Sequence, residues 1–426
     1  MRKEKKMELS IDILSSYPPV QEAEVDKVLA EEIRDNEKKI VVLDDDPTGV
    51  QTVHDISVYT NWEKASIEQG FAEENKLFYI LTNSRGFTAA QTEKAHKEIA
   101  EVVDQVAKET GKEYLFISRS DSTLRGHYPL ETTILKDEYE KNTGKKIDGE
   151  VLCPFFKEGG RFTIDDVHYV QYDDTLVPAA ETEFAKDKTF GYTVSNLKEY
   201  VEEKTQGAYK KENVTAISLE NIRELNYDKI EEQLLAVEDF NKVIVNAIDY
   251  VDVKIFCVAL FRAMKKGKNF MFRTAAAIVK VMGGVSNQPL LTREQMVVKE
   301  TDNGGIIVVG SHTDKTTRQM EKLRENKDIA FVELNATLVN DEEIVAKEKS
   351  AAELRRKYFG PEGELFKKRE ALMQPIQDEI YEAVKAISTQ KGYAVVVDRA
   401  SASSIIFASP NIDISNEVLA KLGYSN

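Results

Sequence analysis

The sequence predicts an α/β fold: a parallel-sheet domain, the start of a second α/β domain, then a helical segment with a small β part. Three observations carry that prediction. Short apolar runs alternate with helix-forming stretches from Lys39 onward, the pattern of a sheet covered on both faces. Several of those runs stop abruptly in polar loops rich in Asp, Arg and Ser. After about Asn340 the texture changes to a dense mixture of charges and helix formers.

Residues 1–37 read as a polar, helical lead-in. KIVVLDD, from Lys39, is a strand. KLFYILTNSRG, from Lys76, is a second, followed by a helix from about Ala89 to Gly111. EYLFISRSDS and GEVLCPFF are the third and fourth strands. NVTAISL and KVIVNAI are further strands, separated by a helical stretch from Leu225 to Val237. Ligands of such sheets sit just beyond the strand C-termini. The loops Asp44–Gly49, Asn83–Gly86 and Arg119–Gly126 would therefore share one edge.

Residues 277–303 form a connection marked by Gly283, Gly284, Asn287, Pro289 and Thr292. GGIIVVGSHTDKTTRQMEKL then reads as a new strand–turn–helix unit, and IAFVEL at 329–334 as another short strand. Residues 341–391 carry 11 acidic and 10 basic side chains. That balance suits a solvated helix face better than an anion-binding patch. Ile344, Ala351, Tyr358, Leu365 and Leu372 recur every seventh position, as in a coiled-coil seam. Gly360-Pro361 interrupts the run. Leu372, Ile376, Ile380, Val384 and Ile387 continue a helical stripe, which an amphipathic helix packed on its own domain would also produce. GYAVVVDRASASSIIFAS reads as two short strands, and a last helix starts near Ser415 and stops at Gly423.

The bulk composition narrows the function. The chain has 426 residues, 42% of them hydrophobic, and a formal net charge of -16. The length suits two or three domains. The charge argues against nucleic acid as a partner, because that binding rests on Lys and Arg meeting phosphates. Two cysteines, Cys153 and Cys257, lie far apart with no CxxC, so neither structural zinc nor a disulfide framework is expected. No metal-ligand motif stands out. No apolar run approaches the roughly 20 residues of a membrane span, and the start lacks a signal-peptide core. A cytoplasmic protein with no membrane partner is the expectation.

Five stretches could carry chemistry. The first is Asp44-Asp45-Asp46-Pro47-Thr48-Gly49. Aspartates accept from hydroxyls, bind hard metals or take protons, yet an Asp-rich turn also caps the next element. Three acids at one strand end exceed what a cap needs. The second is Asn83-Ser84-Arg85-Gly86, a lone Arg after a strand. The third is Ser118 to Gly126, where Arg119 and Arg125 flank Ser120, Asp121 and Ser122. Arg grips a carboxylate or phosphate with two prongs; a self-satisfied loop is the alternative. The fourth is Gly159-Gly160-Arg161, with His168 beyond, either a loop closing on an anion or a surface turn. The fifth is Gly310-Ser311 before a helix, where free amides suit phosphate, although no GxxxxGK[ST] loop exists. The five histidines are scattered, with no HExxH; GxSxG and a strand-following GxGxxG are also missing.

In this order, DDDPTG (44–49), TNSRGF (82–87), RSDSTLRG (119–126), CPFFKEGGRFT with HYV (153–170), FRTAAAIVK (272–280), PLLT (289–292) and VVGSHTDKTTRQ (308–319) resemble the four-carbon acid sugar kinase family, over about residues 38–338. The resemblance implies an N-terminal α/β substrate domain and a C-terminal α/β nucleotide domain. It implies transfer of the ATP γ-phosphate, with Mg2+, to a hydroxyl of a sugar acid such as threonate or erythronate. Asp45 and Asp46 would face substrate hydroxyls, one of them as base. Arg85 and Arg119 would grip the carboxylate. Ser120, Asp121, Ser122, Arg125 and Arg161 would complete the substrate site. Gly310 and Ser311 would meet ATP.

The family's later glycine-rich ATP loops have no counterpart after Asn340. Residues 341–424 instead resemble the C-terminal half of the Skp/OmpH family of trimeric periplasmic chaperones, without that family's signal peptide and first strand. The organisation is therefore 1–37 lead-in, 38–276 sugar-acid domain, 277–340 linker and truncated nucleotide domain, and 341–426 helical/β segment. Three functions compete: a sugar-acid kinase, a sugar-acid binder without catalysis, and an oligomerising or chaperone-like fusion. A homo-oligomer, dimer or trimer, follows from the last resemblance.

Overall fold

The computed structural model describes residues 8–297, 305–311, 313–326, 328–333, 342–359, 363–397 and 413–424. The chain forms two compact units, Met1–Val309 and Gly310–Asn426.

The first unit opens with β1 (Leu9–Ser10) and α1 (Glu22–Asp35). The lead-in is thus built into the domain, since α1 buries Val25 and Leu29 in the main core. Next come β2 (Lys39–Asp44), β3 (Val58–Tyr59), α2 (Lys64–Ala72), β4 (Leu77–Leu81), α3 (Ala89–Thr110), β5 (Tyr114–Arg119), α4 (Leu130–Thr143) and β6 (Gly149–Cys153). A hairpin region, β7 (Arg161–Ile164), β8 (Val167–Tyr172) and β9 (Thr175–Pro178), precedes α5 (Leu197–Lys204), β10 (Thr215–Ile217), α6 (Leu219–Arg223) and α7 (Tyr227–Leu235). Then follow β11 (Asn241–Val245), α8 (Tyr250–Lys265), β12 (Phe270–Thr274), α9 (Ala276–Met282) and α10 (Arg293–Met296). Helix α3 starts with a capping box, Thr88 with Gln91, and ends at Gly111 in the left-handed region, the signals that start and stop a helix.

Eight strands pair in parallel in the order β10-β11-β6-β12-β5-β2-β4-β3. Both faces are buried, and the pleat sorts β2 between them. Ile40 and Val42 join the core beneath α1, α8 and α9, while Val41 and Leu43 join the core beneath α2 and α3. From β2 the chain builds outward to β3 and β4, then crosses back to lay β5 on the other side of β2. The boundary between β2 and β5 is therefore the topological switch point, where ligands of open α/β sheets bind. A second, antiparallel sheet, β1-β9-β8-β7, brings in residues 161–178.

The sequence pattern missed β12. FMFRT is only five residues long, and it sits between β5 and β6 at the centre of the sheet.

The second unit comprises α11 (Asp314–Arg324), α12 (Glu342–Phe359), α13 (Glu364–Lys391) and α14 (Ser415–Lys421). Ala383 and Ile387 of α13 pack with Ile414 and Val418 in a small core. Leu365, Leu372, Ile376 and Ile380 of the heptad-like stripe remain exposed. Two expected strands do not form. Residues 305–310 and 329–333 carry no strand pairing, and Ile306, Val308 and Val332 are nearly fully exposed. A strand exists only by pairing, and no described segment pairs with either. Of the two strands expected between Gly392 and Ser409, residues 395–397 are unpaired and 398–409 lie outside the described residues. The remainder of IAFVEL, residue 334, also lies outside them.

Candidate functional site

Four strands end in register at the switch point. Leu81, Asp44 and Arg119 are neighbours across β4, β2 and β5, and Arg119 pairs with Thr274 of β12. The predicted loops leave from this row, so the fold gathers them on one edge.

The three aspartates separate by role. Asp44 continues the Ile40/Val42 face and is buried against Arg119, whose Nη1 donates to its Oδ1 at 3.1 Å. Burial pushes the Asp44 carboxyl up to about 7 against the pull of Arg119, and the neighbouring Asp45 adds to the rise. A β-carbon at Gly49 would lie 1.5 Å from Asp44 Oδ2; only glycine lets the loop close over this acid.

Asp45, also buried, lies in the fork of Arg85. Nε and Nη2 of Arg85 donate to its two oxygens at 3.2 and 2.6 Å, and Ser120 Oγ donates at 2.8 Å. Burial raises the Asp45 carboxyl, and Arg85 opposes it. The third aspartate, Asp46, is half-buried and accepts from Arg85 Nη1 at 2.6 Å and from both the amide and hydroxyl of Thr48. Burial works against its charge, but Thr48 and Arg85 hold it below the usual carboxylate range.

The Arg119–Gly126 loop folds around Asp121. Arg125 Nε donates to that carboxylate at 2.7 Å, and Thr123 Oγ1 donates as well. Although burial opposes ionisation, Arg85 and Arg125 depress the Asp121 carboxyl. Ser122 offers its carbonyl to His168 Nε2 at 2.7 Å, while Thr163 lies 3.0 Å from His168 Nδ1. Because a carbonyl only accepts, Nε2 carries the proton and Thr163 donates to Nδ1. Burial lowers the His168 pKa to about 4, so this ring stays neutral and positions the Ser122 turn. The guanidiniums of Arg125 and Arg161 lie 5.1 and 5.4 Å from the Phe184 ring centroid.

Sequence reasoning missed two contributors. Arg273 Nη2 donates to the Arg125 carbonyl at 2.7 Å. A β-carbon at Gly126, whose φ is +119°, would lie 3.2 Å from both Arg273 Nη2 and Asp45 Oδ2. The strand-end Arg in FRT was the available signal. Glu131, buried at the start of α4, accepts from Ser84 at 3.0 Å and Ser118 at 3.4 Å; nothing in its local sequence marks it. Asp45, Asp46, Arg85, Arg119, Ser120, Asp121, Ser122, Arg125 and Arg161 thus form a linked cluster in the first unit. Within it, Arg85 and Arg119 are already engaged by aspartates.

Hydroxyls, carboxylates and guanidiniums thus gather beyond the strand ends of a parallel sheet, the edge where α/β proteins of this class place their sites. The model of the sugar-binding N-terminal domain matches residues 40–282, and the chain belongs to that family, the sugar-binding domain of four-carbon acid sugar kinases. The model of OmpH-like outer membrane proteins matches residues 311–422. Two crystal structures are similar. One, from Salmonella typhimurium LT2, is called a "putative tRNA synthase"; it is 14% identical, with a TM-score of 0.45, covering 75% of this chain and 72% of that one. The other is a Haemophilus influenzae protein of a family catalogued as a domain of unknown function; it is 16% identical, with a TM-score of 0.41, covering 73% and 71%. No curated protein matches.

ATP and Mg2+ are what the family implies. Gly310 and Ser311 precede α11, whose N-cap Thr313 accepts from the Thr316 amide. Ser311 Oγ accepts from Thr316 Oγ1 at 2.8 Å. The segment before Gly310 is not a strand, so the described residues do not form a strand–turn–helix cradle for phosphates. Among them, no group of three or more His, Cys, Asp or Glu is placed to hold a metal. No described helix is long and apolar enough to cross a membrane.

Proposed function

We propose that the first unit binds a four-carbon sugar acid of the threonate or erythronate type at the β2/β5 switch point, as a binding protein descended from a kinase. The observation that carries this reading is the cluster itself. Aspartates, serines and arginines from three loops converge beyond four register-matched strand ends. Carboxylates and hydroxyls there match sugar hydroxyls, and guanidiniums match an acid.

Phosphoryl transfer from ATP with Mg2+ is the second reading. It is favoured by Asp45 and Asp46, two carboxylates with opposite shifts sharing one arginine; either could take a hydroxyl proton. Calorimetric titration of the full chain with D-threonate, D-erythronate and L-threonate, then with Mg-ATP, separates the readings. Acid binding without nucleotide binding supports a binder. Acid and nucleotide binding together, with phosphorylated product, support a kinase. No acid binding refutes both. The exposed Leu365–Ile380 stripe and the OmpH-like match also support a homo-oligomer, which light scattering over a concentration series would detect.

A further inference from the structure

The arginines of the cluster differ in one respect: whether each has a carboxylate of its own. Arg85 is paired with Asp45 and Asp46, Arg119 with Asp44, and Arg125 with Asp121. Each therefore has a counter-charge from within the protein, although only Arg85 has its fork filled, and Arg119, like Arg161, has a buried Nε without an acceptor. Arg161 has no such partner among the described residues. Its Nη1 donates to the Gly159 carbonyl, and its Nε is buried with no acceptor. Asp121 and Glu183 act on it from a distance. Asp121, however, is held by Arg125 and Thr123, and Glu183 accepts from the Tyr172 hydroxyl at 2.5 Å.

Arg273 is the other cluster guanidinium without an acid. It is 6% exposed, and it donates to the Arg125 carbonyl, which makes it a brace for the loop. Arg161 is more accessible. It shares the Phe184 ring with Arg125, so it belongs to the same cluster as the hydroxyl-binding groups. Burying a cation without a counter-charge is unfavourable, and burial does depress the Arg161 pKa. An anion arriving with the ligand would complete it with a two-pronged contact.

We propose that Arg161 holds the carboxylate of the sugar acid, and that Arg85 and Arg119 instead order the aspartates that face its hydroxyls. This rests on the sugar-acid reading above and reassigns the carboxylate grip expected from the sequence.

The test compares acids with polyols of the same carbon count. The full chain is titrated by calorimetry with D-threonate, D-erythronate, threitol and erythritol, as wild type, Arg161→Met and Arg161→Lys. In Arg161→Met, acid affinity is expected to fall about thirtyfold or more, to the polyol level, with polyol affinity unchanged. Arg161→Lys keeps the charge but not the fork, and should recover part of the preference. An acid-over-polyol preference that survives in Arg161→Met overturns this inference and leaves the sugar-acid reading standing. A wild type with no acid preference overturns both. If Arg161→Met fails to fold by circular dichroism, Arg161→Lys carries the test, and an undiminished acid affinity in it overturns the inference.

Discussion

Replacing Asp44 by Asn should make the first unit more stable at high pH and leave it nearly unchanged at low pH. The Asp44 carboxyl is buried, and its pKa is raised from 3.8 to about 7, chiefly by desolvation. A raised folded-state value means that the folded protein holds the proton more tightly than the unfolded chain. The resulting stability is fully present below about pH 4 and is lost as pH rises through 7. A rise of about three units at roughly 1.4 kcal/mol each amounts to about 4 kcal/mol, as an upper figure. Asn copies the protonated acid. Its carbonyl can still accept from Arg119 and from the Asp46 amide, which meet Oδ1 in the wild type. Its amide takes the place of the oxygen beside Gly49. Urea unfolding followed by Trp62, the single tryptophan, reports this unit. The two proteins should have similar midpoints at pH 4, and D44N should exceed wild type by up to about 4 kcal/mol at pH 8. A gap that stays constant with pH, or that favours the wild type more as pH rises, would refute the argument.

Gly49→Ala forces a methyl group into Asp44 Oδ2 and should cost about 3 kcal/mol, read from the same Trp62 transition. Asp121→Asn removes a depressed carboxylate, so it should cost about 3 kcal/mol at pH 7; the gap should narrow as pH falls below the ordinary carboxylate value, because the unfolded wild-type chain then takes up the proton that folded Asp121 still refuses. Lys242→Met strands Glu150, its partner across β6 and β11 at 2.8 Å, and should lower stability by about 4 kcal/mol; adding Glu150→Leu should restore most of that loss. His168→Ala frees the Ser122 carbonyl and should weaken sugar-acid binding about tenfold by calorimetry, whereas between pH 5 and 8 the wild-type affinity should show no titration from this neutral ring.

The sheet was legible where strands were apolar and ended in polar loops. β2, β4, β5 and β6 read directly, because buried parallel strands are continuous apolar runs. β12 was not legible, since its Arg and Thr belong to the site and dilute its apolar character. The site loops were legible as a set because the strand C-termini all fall on one edge. Their internal pairing was not. Which aspartate meets which arginine depends on the register Asp44–Arg119 and on loop turns beyond the strands. Glu131 was invisible because its partners, Ser84 and Ser118, are 47 and 13 residues away. In the second unit, GGIIVVG and IAFVE have strand composition but no pairing partner among the described residues. Local preference alone does not make a strand.

The pleat at the end of β2 has an evolutionary consequence. Adjacent aspartates meet different partners: Asp44, on the Ile40/Val42 side of the strand, meets Arg119 and the Gly49 turn, and Asp45 meets Arg85 and Ser120. Substitution can therefore remodel Asp45, Arg85 and their neighbours while Asp44 and Arg119 keep the sheet edge intact. The reverse freedom is missing. A one-residue slip of β2 would exchange the two acids at a stroke, so the loop cluster can drift by substitution but not by insertion or deletion within the strand.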